Sequence, residues 1–290
     1  MTILLKNGKL IDYKTNTFEK YDISVFPLNV IIDGTEFLDG ITITQDELKD
    51  AMRGNKIVKT STPPLGTVIE YFENLFEKGY DKIIHFTISS KLSSMYQLFT
   101  NVAETHFKDR LIVIDSNALT TIMLSDVLYT YLAINDGISV EEVIKEIENR
   151  KNKNYVRFIP ENLTALKNGG RISPAIAAIA NTIGIKPVLS LTDGQLVKES
   201  MTRNIIKEFI NSLEEASKNF PTSKYDYTLV SFDAKESSVQ YIIDYAGKIL
   251  NGYQLLKANI PINVCAHCGP GTIGLVVSLK VNDKSLKDLL

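Results

Sequence analysis

Apolar and polar positions follow two rhythms in the first half of the chain. Short apolar or β-branched runs at 23–32, 82–88 and 111–114 read as strands. Between and after them, 65–78 and 95–107 carry helical spacing, with Leu98, Val102 and Thr105 on one stripe. Segments 119–134 and 140–150 continue as helices, the second opened by Ser139 with Glu142 three residues on, a capping box. This alternation predicts parallel βαβ units.

The second half changes character. After the polar stretch 149–154 come a strand at 155–159, a short helix from Pro160, a turn at Gly169-Gly170, and Ser173-Pro174 as N-cap and first residue of a small-residue apolar helix over 175–180. A strand pair, 186–191 and 195–201, turns at Asp193-Gly194. Helices at 203–218 and 237–250, with strands at 227–232, 253–257, 261–264 and 273–281, complete an α+β half. The expected organisation is two domains, 1–153 and 154–290, of overall α/β class.

Composition narrows the function. The 290 residues are 44% hydrophobic, enough for a substantial core, and 32 basic residues stand against 34 acidic ones. That balance, without a basic stripe interleaved with aromatics, makes nucleic acid an unexpected partner. No apolar run reaches the roughly 18 residues of a membrane span, and the early run Ile3-Leu4-Leu5 is brief and flanked by lysines, so a cytoplasmic location is expected. The two cysteines form Cys265-Ala266-His267-Cys268, short of the four clustered ligands of a structural zinc site, so no metal is expected. Gly269-Pro270-Gly271-Thr272-Ile273-Gly274 matches the dinucleotide fingerprint in letters only, because a strand, not a helix, is expected to follow it.

Candidate chemistry lies in two hydroxyl clusters, Thr60-Ser61-Thr62-Pro63-Pro64 and Ser89-Ser90-Lys91-Leu92-Ser93-Ser94-Met95-Tyr96, and in His267-Cys268-Gly269-Pro270-Gly271-Thr272. Both clusters stand where a strand gives way to a helix, so hydroxyls and unpaired backbone N–H groups would converge on one carboxylate or phosphate. Each has a plainer reading: Thr60 and Ser61 as helix caps, His267 as a core histidine, and the glycines as a tight turn. Ser93, His267 and Asp115 are also the residue types of a hydrolase triad, although Ser93 does not stand in a G-x-S-x-G elbow.

Six segments in order resemble the DegV family of bacterial fatty-acid-binding proteins. They are Lys59-Thr60-Ser61-x-Pro63; Ile88-Ser89-Ser90-x-Leu92-Ser93 running on to Tyr96-Gln97; Ile114-Asp115-Ser116; Gly169-Gly170-Arg171-Ile172-Ser173; Ile185-Lys186-Pro187; and His267-x-Gly269-Pro270-Gly271-Thr272. The resemblance implies a DegV-like fold: an N-terminal parallel-sheet α/β domain, a C-terminal α+β domain, and the ligand site between them. It implies a carrier without catalysis or cofactor, which binds a long-chain fatty acid of the palmitate, stearate or oleate class and presents it to a fatty acid kinase for phospholipid synthesis. The carboxylate would be held by Thr60, Ser61, Ser93, Ser94, His267 and Gly271. Phe26, Leu28, Ile122, Ala175, Ile176 and Ile179 are candidates for the acyl tunnel, and Arg171 and Arg203 for steering a phosphate or docking the kinase. The alternative is a serine-dependent ester or thioester hydrolase. The chain departs from the family pattern at Ile3 to Gly8, which replaces an Asp-Ser, and at Ser94 and Asn204, which replace glycines.

Overall fold

A computed structural model describes residues 2–6, 9–10, 21, 23–161, 163–171 and 184–290. The chain folds as two compact units, one of Met1–Phe26, Thr62–Lys153 and Asp288–Leu290, the other of Pro27–Ser61 and Asn154–Lys287. A single cut near 153 therefore needs correction. Pro27–Ser61, which carries Thr60 and Ser61, belongs with the second half because its strands pair with each other and its helix packs on Ile262–Cys268.

In the first unit the sheet runs Lys9–Leu10, Thr2–Lys6, Lys82–Thr87, Leu111–Asp115, with Ile23–Ser24 also on Thr2–Lys6. Lys82–Thr87 and Leu111–Asp115 are parallel and joined through the helix Met95–His106, the βαβ unit expected; Thr2–Lys6 pairs antiparallel. Helices Leu65–Glu77, Thr120–Asn135 and Val140–Arg150 complete the unit, the last opened by the Ser139–Glu142 capping box. Aromatic rings fill the core. Phe72 and Phe99 are fully buried, Phe26 meets Tyr71 and Phe99 edge-on, and His85 stacks on Phe99 at 4.3 Å. Burial holds His85 neutral, its pKa pushed well below the ordinary imidazole value. Arg150 Nε donates to Asp126 Oδ1 at 2.7 Å, both side chains being buried, and its Nη2 donates to Ser125 Oγ at 2.8 Å.

The second unit is built on a six-stranded sheet in the order Gln195–Thr202, Lys186–Thr192, Tyr155–Ile159, Thr272–Leu279, Tyr225–Phe232, Leu256–Asn259, antiparallel except for the last pair. Asp193 and Gly194, with φ of 46° and 75°, make the hairpin turn, where positive φ at both central residues matches the strand twist. Helices Ile205–Asn219 and Glu236–Ile249 cover one face, burying Phe209, Leu213, Ile242 and Ala246 against Tyr227, Leu229, Leu275 and Val277. Leu163, Leu166 and Leu189 form a smaller cluster with Phe158. A three-stranded antiparallel sheet, Thr35–Leu38, Asn29–Ile32 and Val58–Ser61, carries the helix Gln45–Arg53. The expected strand at 23–32 is thus two strands in different units, and the expected strand at 261–264 is the start of the helix Ile262–Cys268.

Candidate functional site

Thr60 lies in the strand Val58–Ser61, opposite Val30, and not at a helix cap; the next helix begins at Leu65 with Pro64 before it. Side chains alternate along a strand, so Thr60 shares the face of buried Val58. The helix Ile262–Cys268 packs against this strand and against Gln45–Arg53, which brings His267 Nε2 to 2.8 Å from Thr60 Oγ1.

Residues outside the sequence motifs fix that helix. The Asp39 carboxylate accepts from the Asn263 N–H at 3.1 Å, capping the first turn, and Gln45 Nε2 donates to Ile260 O at 2.7 Å. Burial pushes the Asp39 carboxyl up, and its bond from Asn263 draws it back. At the other end Gly269, φ 78°, stops the helix, and Thr272 Oγ1 donates to Cys268 O at 3.0 Å and Gly269 O at 2.7 Å. Asp39 and Gln45 left no trace in local patterning, because each acts on a segment more than 200 positions away.

His267 is neutral near pH 7. Burial first, and the positive charge of Arg171 second, lower its pKa from 6.5 to about 4. Its Nδ1 is buried and, among the described residues, has no hydrogen-bond partner. This nitrogen faces Gly169, where a Cβ would lie 2.2 Å from it.

Gly271 requires correction as an amide donor. Its N–H donates to Phe232 O at 2.8 Å, and that of Gly269 to Cys265 O at 2.9 Å, so neither is free to meet an anion. What these glycines supply is conformation: Gly271 has φ 83°, and a Cβ there would run into Glu161.

Ser93 and Ser94 belong to the first unit. Ser93 N–H donates to Ser89 O, and Ser93 Oγ accepts from the Met95 N–H at 3.3 Å, which leaves its own proton for another acceptor. Ser94 sits at the cap of Met95–His106 without a side-chain cap bond. Asp115 Oδ1 accepts from the Ser90 N–H at 3.1 Å and the Asn117 N–H at 2.9 Å, so this carboxylate organises its own loop.

The triad reading fails on this geometry. A triad histidine needs a carboxylate on Nδ1, and here Gly169 occupies that side while Nε2 is engaged by Thr60. The cysteine pair is equally inert as placed: Cys265 and Cys268 are buried free thiols within the helix, and burial raises the Cys265 pKa. Among the described residues no group of three or more His, Cys, Asp or Glu could hold a metal, and no helix is long and apolar enough to cross a membrane.

Of the remaining candidates, Arg171 is exposed and its guanidinium donates to Gly169 O; Arg203 is exposed beside Asn204, whose side chain caps the next helix by accepting from Lys207 N–H at 3.0 Å. Phe26 and Ile122 are buried in the first unit, and Leu28 is half-buried in the second. Ala175, Ile176 and Ile179 lie outside the described residues.

The described residues thus form a two-unit α/β chain that carries a neutral imidazole–hydroxyl pair. The chain belongs to the DegV family: the family model described as "Uncharacterised protein, DegV family" matches residues 10–280. A DegV domain-containing protein of Mycoplasmopsis pulmonis is 28% identical over 264 residues, 90% of this chain and 89% of that one. Among solved structures, a DegV family protein from Thermus thermophilus, described as fatty-acid binding, matches with a TM-score of 0.76 at 25% identity, covering 87% of this chain and 90% of that chain. A stearic-acid-binding protein from Eubacterium ventriosum matches at 0.78 and 25% identity, covering 94% and 97%.

Proposed function

We propose that this protein binds one long-chain fatty acid, holding the carboxylate with hydroxyl donors beside the neutral His267 imidazole and the acyl chain in an apolar tunnel. The observation that carries the reading is the hydrogen-bonded pair of Thr60 and a neutral His267, in a chain whose solved relatives are fatty-acid binders. An ionised carboxylate only accepts hydrogen bonds, so it calls for donors. Thr60, Ser61, Ser93 and Ser94 bring hydroxyls and His267 an imidazole, and Arg171 adds positive charge beside the pair.

Each hydrogen bond to a charged group is worth about 1.5–3 kcal/mol, whereas each buried methylene contributes about 0.8 kcal/mol. The tail therefore dominates affinity and the head sets orientation. Phe26, Leu28, Ile122, Ala175, Ile176 and Ile179 are the proposed tail contacts. In the cytoplasm the bound acid would be presented to a fatty acid kinase for phospholipid synthesis, with Arg171 and Arg203 steering the phosphoryl group or the partner; both are exposed cations suited to bidentate contact with phosphate.

Mass spectrometry of an organic extract of the purified protein tests the central claim. About one equivalent of a long-chain acid is expected. An extract without acyl species, together with no uptake of added palmitate or oleate, would sink the reading.

A further inference from the structure

Gly169 poses a question that its backbone does not answer. Its φ of −75° and ψ of −12° are ordinary helical values, where alanine is favoured over glycine. The requirement for glycine is steric: a Cβ would lie 2.2 Å from His267 Nδ1 and 3.0 Å from Cε1. The residue cannot withdraw, because its N–H donates to Ala165 O at 2.9 Å and its carbonyl accepts from Arg171.

We propose that Gly169 is the positioning residue of the head-group site, fixing the His267 ring with its proton on Nε2 so that Thr60 is turned into an outward-facing donor. The group that Gly169 presents to Nδ1 is a Cα–H, which a lone pair tolerates as a weak donor and which offers an N–H nothing to bond. Among the described residues Nδ1 has no acceptor, and a buried N–H left without one is disfavoured by roughly 5- to 150-fold, so the proton resides on Nε2. Nε2–H then donates to Thr60 Oγ1 across the 2.8 Å contact. The Thr60 oxygen being the acceptor in that bond, its own proton is free, and on the fatty-acid reading it is delivered to the carboxylate. One hydrogen-sized side chain thereby sets the direction of a hydrogen-bond relay.

The test is NMR of protein labelled with ¹⁵N-histidine, wild type and Gly169→Ala, alongside palmitate binding. The wild-type His267 should show the Nε2–H pattern, and Gly169→Ala should lose it and bind palmitate about tenfold or more weakly. Should Gly169→Ala fold poorly, Gly169→Ala/His267→Ala must recover its stability, because removing the ring makes room for the methyl. A wild-type Nδ1–H tautomer, an unchanged spectrum in Gly169→Ala, or no recovery in the double variant would overturn the proposal. The nitrogen spectrum needs no lipid, so a protein that binds no palmitate but shows the Nε2–H lock would fail the fatty-acid reading alone.

Discussion

Acidifying the solution from pH 7.5 to about 5 should destabilise this protein through His267. Burial and the charge of Arg171 hold its folded pKa at about 4, against 6.5 for an ordinary histidine. Between those values the unfolded chain takes up a proton that the folded chain refuses, so stability falls as pH falls through that window and levels off below about 4. The loss by pH 5 is about 2 kcal/mol, and over the whole window it is on the order of 3 kcal/mol. Denaturant unfolding of wild type and His267→Gln at a series of pH values isolates this contribution, because glutamine keeps a donor toward Thr60 but does not titrate. His85, also held neutral by burial, is common to both proteins and cancels. A wild-type-minus-variant difference that stays constant from pH 7.5 to 5, or an imidazole resonance of His267 titrating near 6.5, would refute the buried neutral ring.

Three further outcomes are expected. Thr60→Val should weaken palmitate binding about 10- to 150-fold while leaving binding of the corresponding C16 alcohol nearly unchanged, checked by calorimetry; equal losses for both would place the hydroxyl away from the carboxylate. Arg150→Met should cost about 3–5 kcal/mol in denaturant unfolding by stranding the buried Asp126 charge, and Asp126→Leu added to it should restore most of that, whereas simple additivity would contradict the pairing. Arg203→Ala should slow acyl phosphate formation by a purified fatty acid kinase at unchanged lipid content; unimpaired turnover would remove this arginine from the proposed docking role.

What could be read from sequence was mostly local. Ser139 with Glu142, and Asp193 with Gly194, announce a cap and a turn within a few residues, and both formed as read. The strand over 23–32 went wrong despite an available signal: Asp33-Gly34, φ 49° and 87°, turns Asn29–Ile32 onto Thr35–Leu38. Ile262 and Val264 are β-branched, which made a helix look like a strand; tertiary anchors, Asp39 and Gln45, overrode propensity. Thr60 and His267, both singled out in sequence, lie 2.8 Å apart, but the reason for Gly169 was not legible. A glycine needed for close approach carries no mark in sequence unlike one needed at a turn, and its neighbour Gly170, φ 68°, supplied the turn reading.

The two halves of the imidazole–hydroxyl pair are also separated in time. Thr60 leaves the ribosome 207 residues ahead of His267, which at about 5–20 residues per second is a delay of about 10 to 40 seconds. Throughout that interval the strand Val58–Ser61 is made but the helix that completes its polar pair is not. On the fatty-acid reading, capture by that pair waits until Ile262–Cys268 has been made, and a nascent protein stalled before Ile262 should expose Thr60 without gripping an acid.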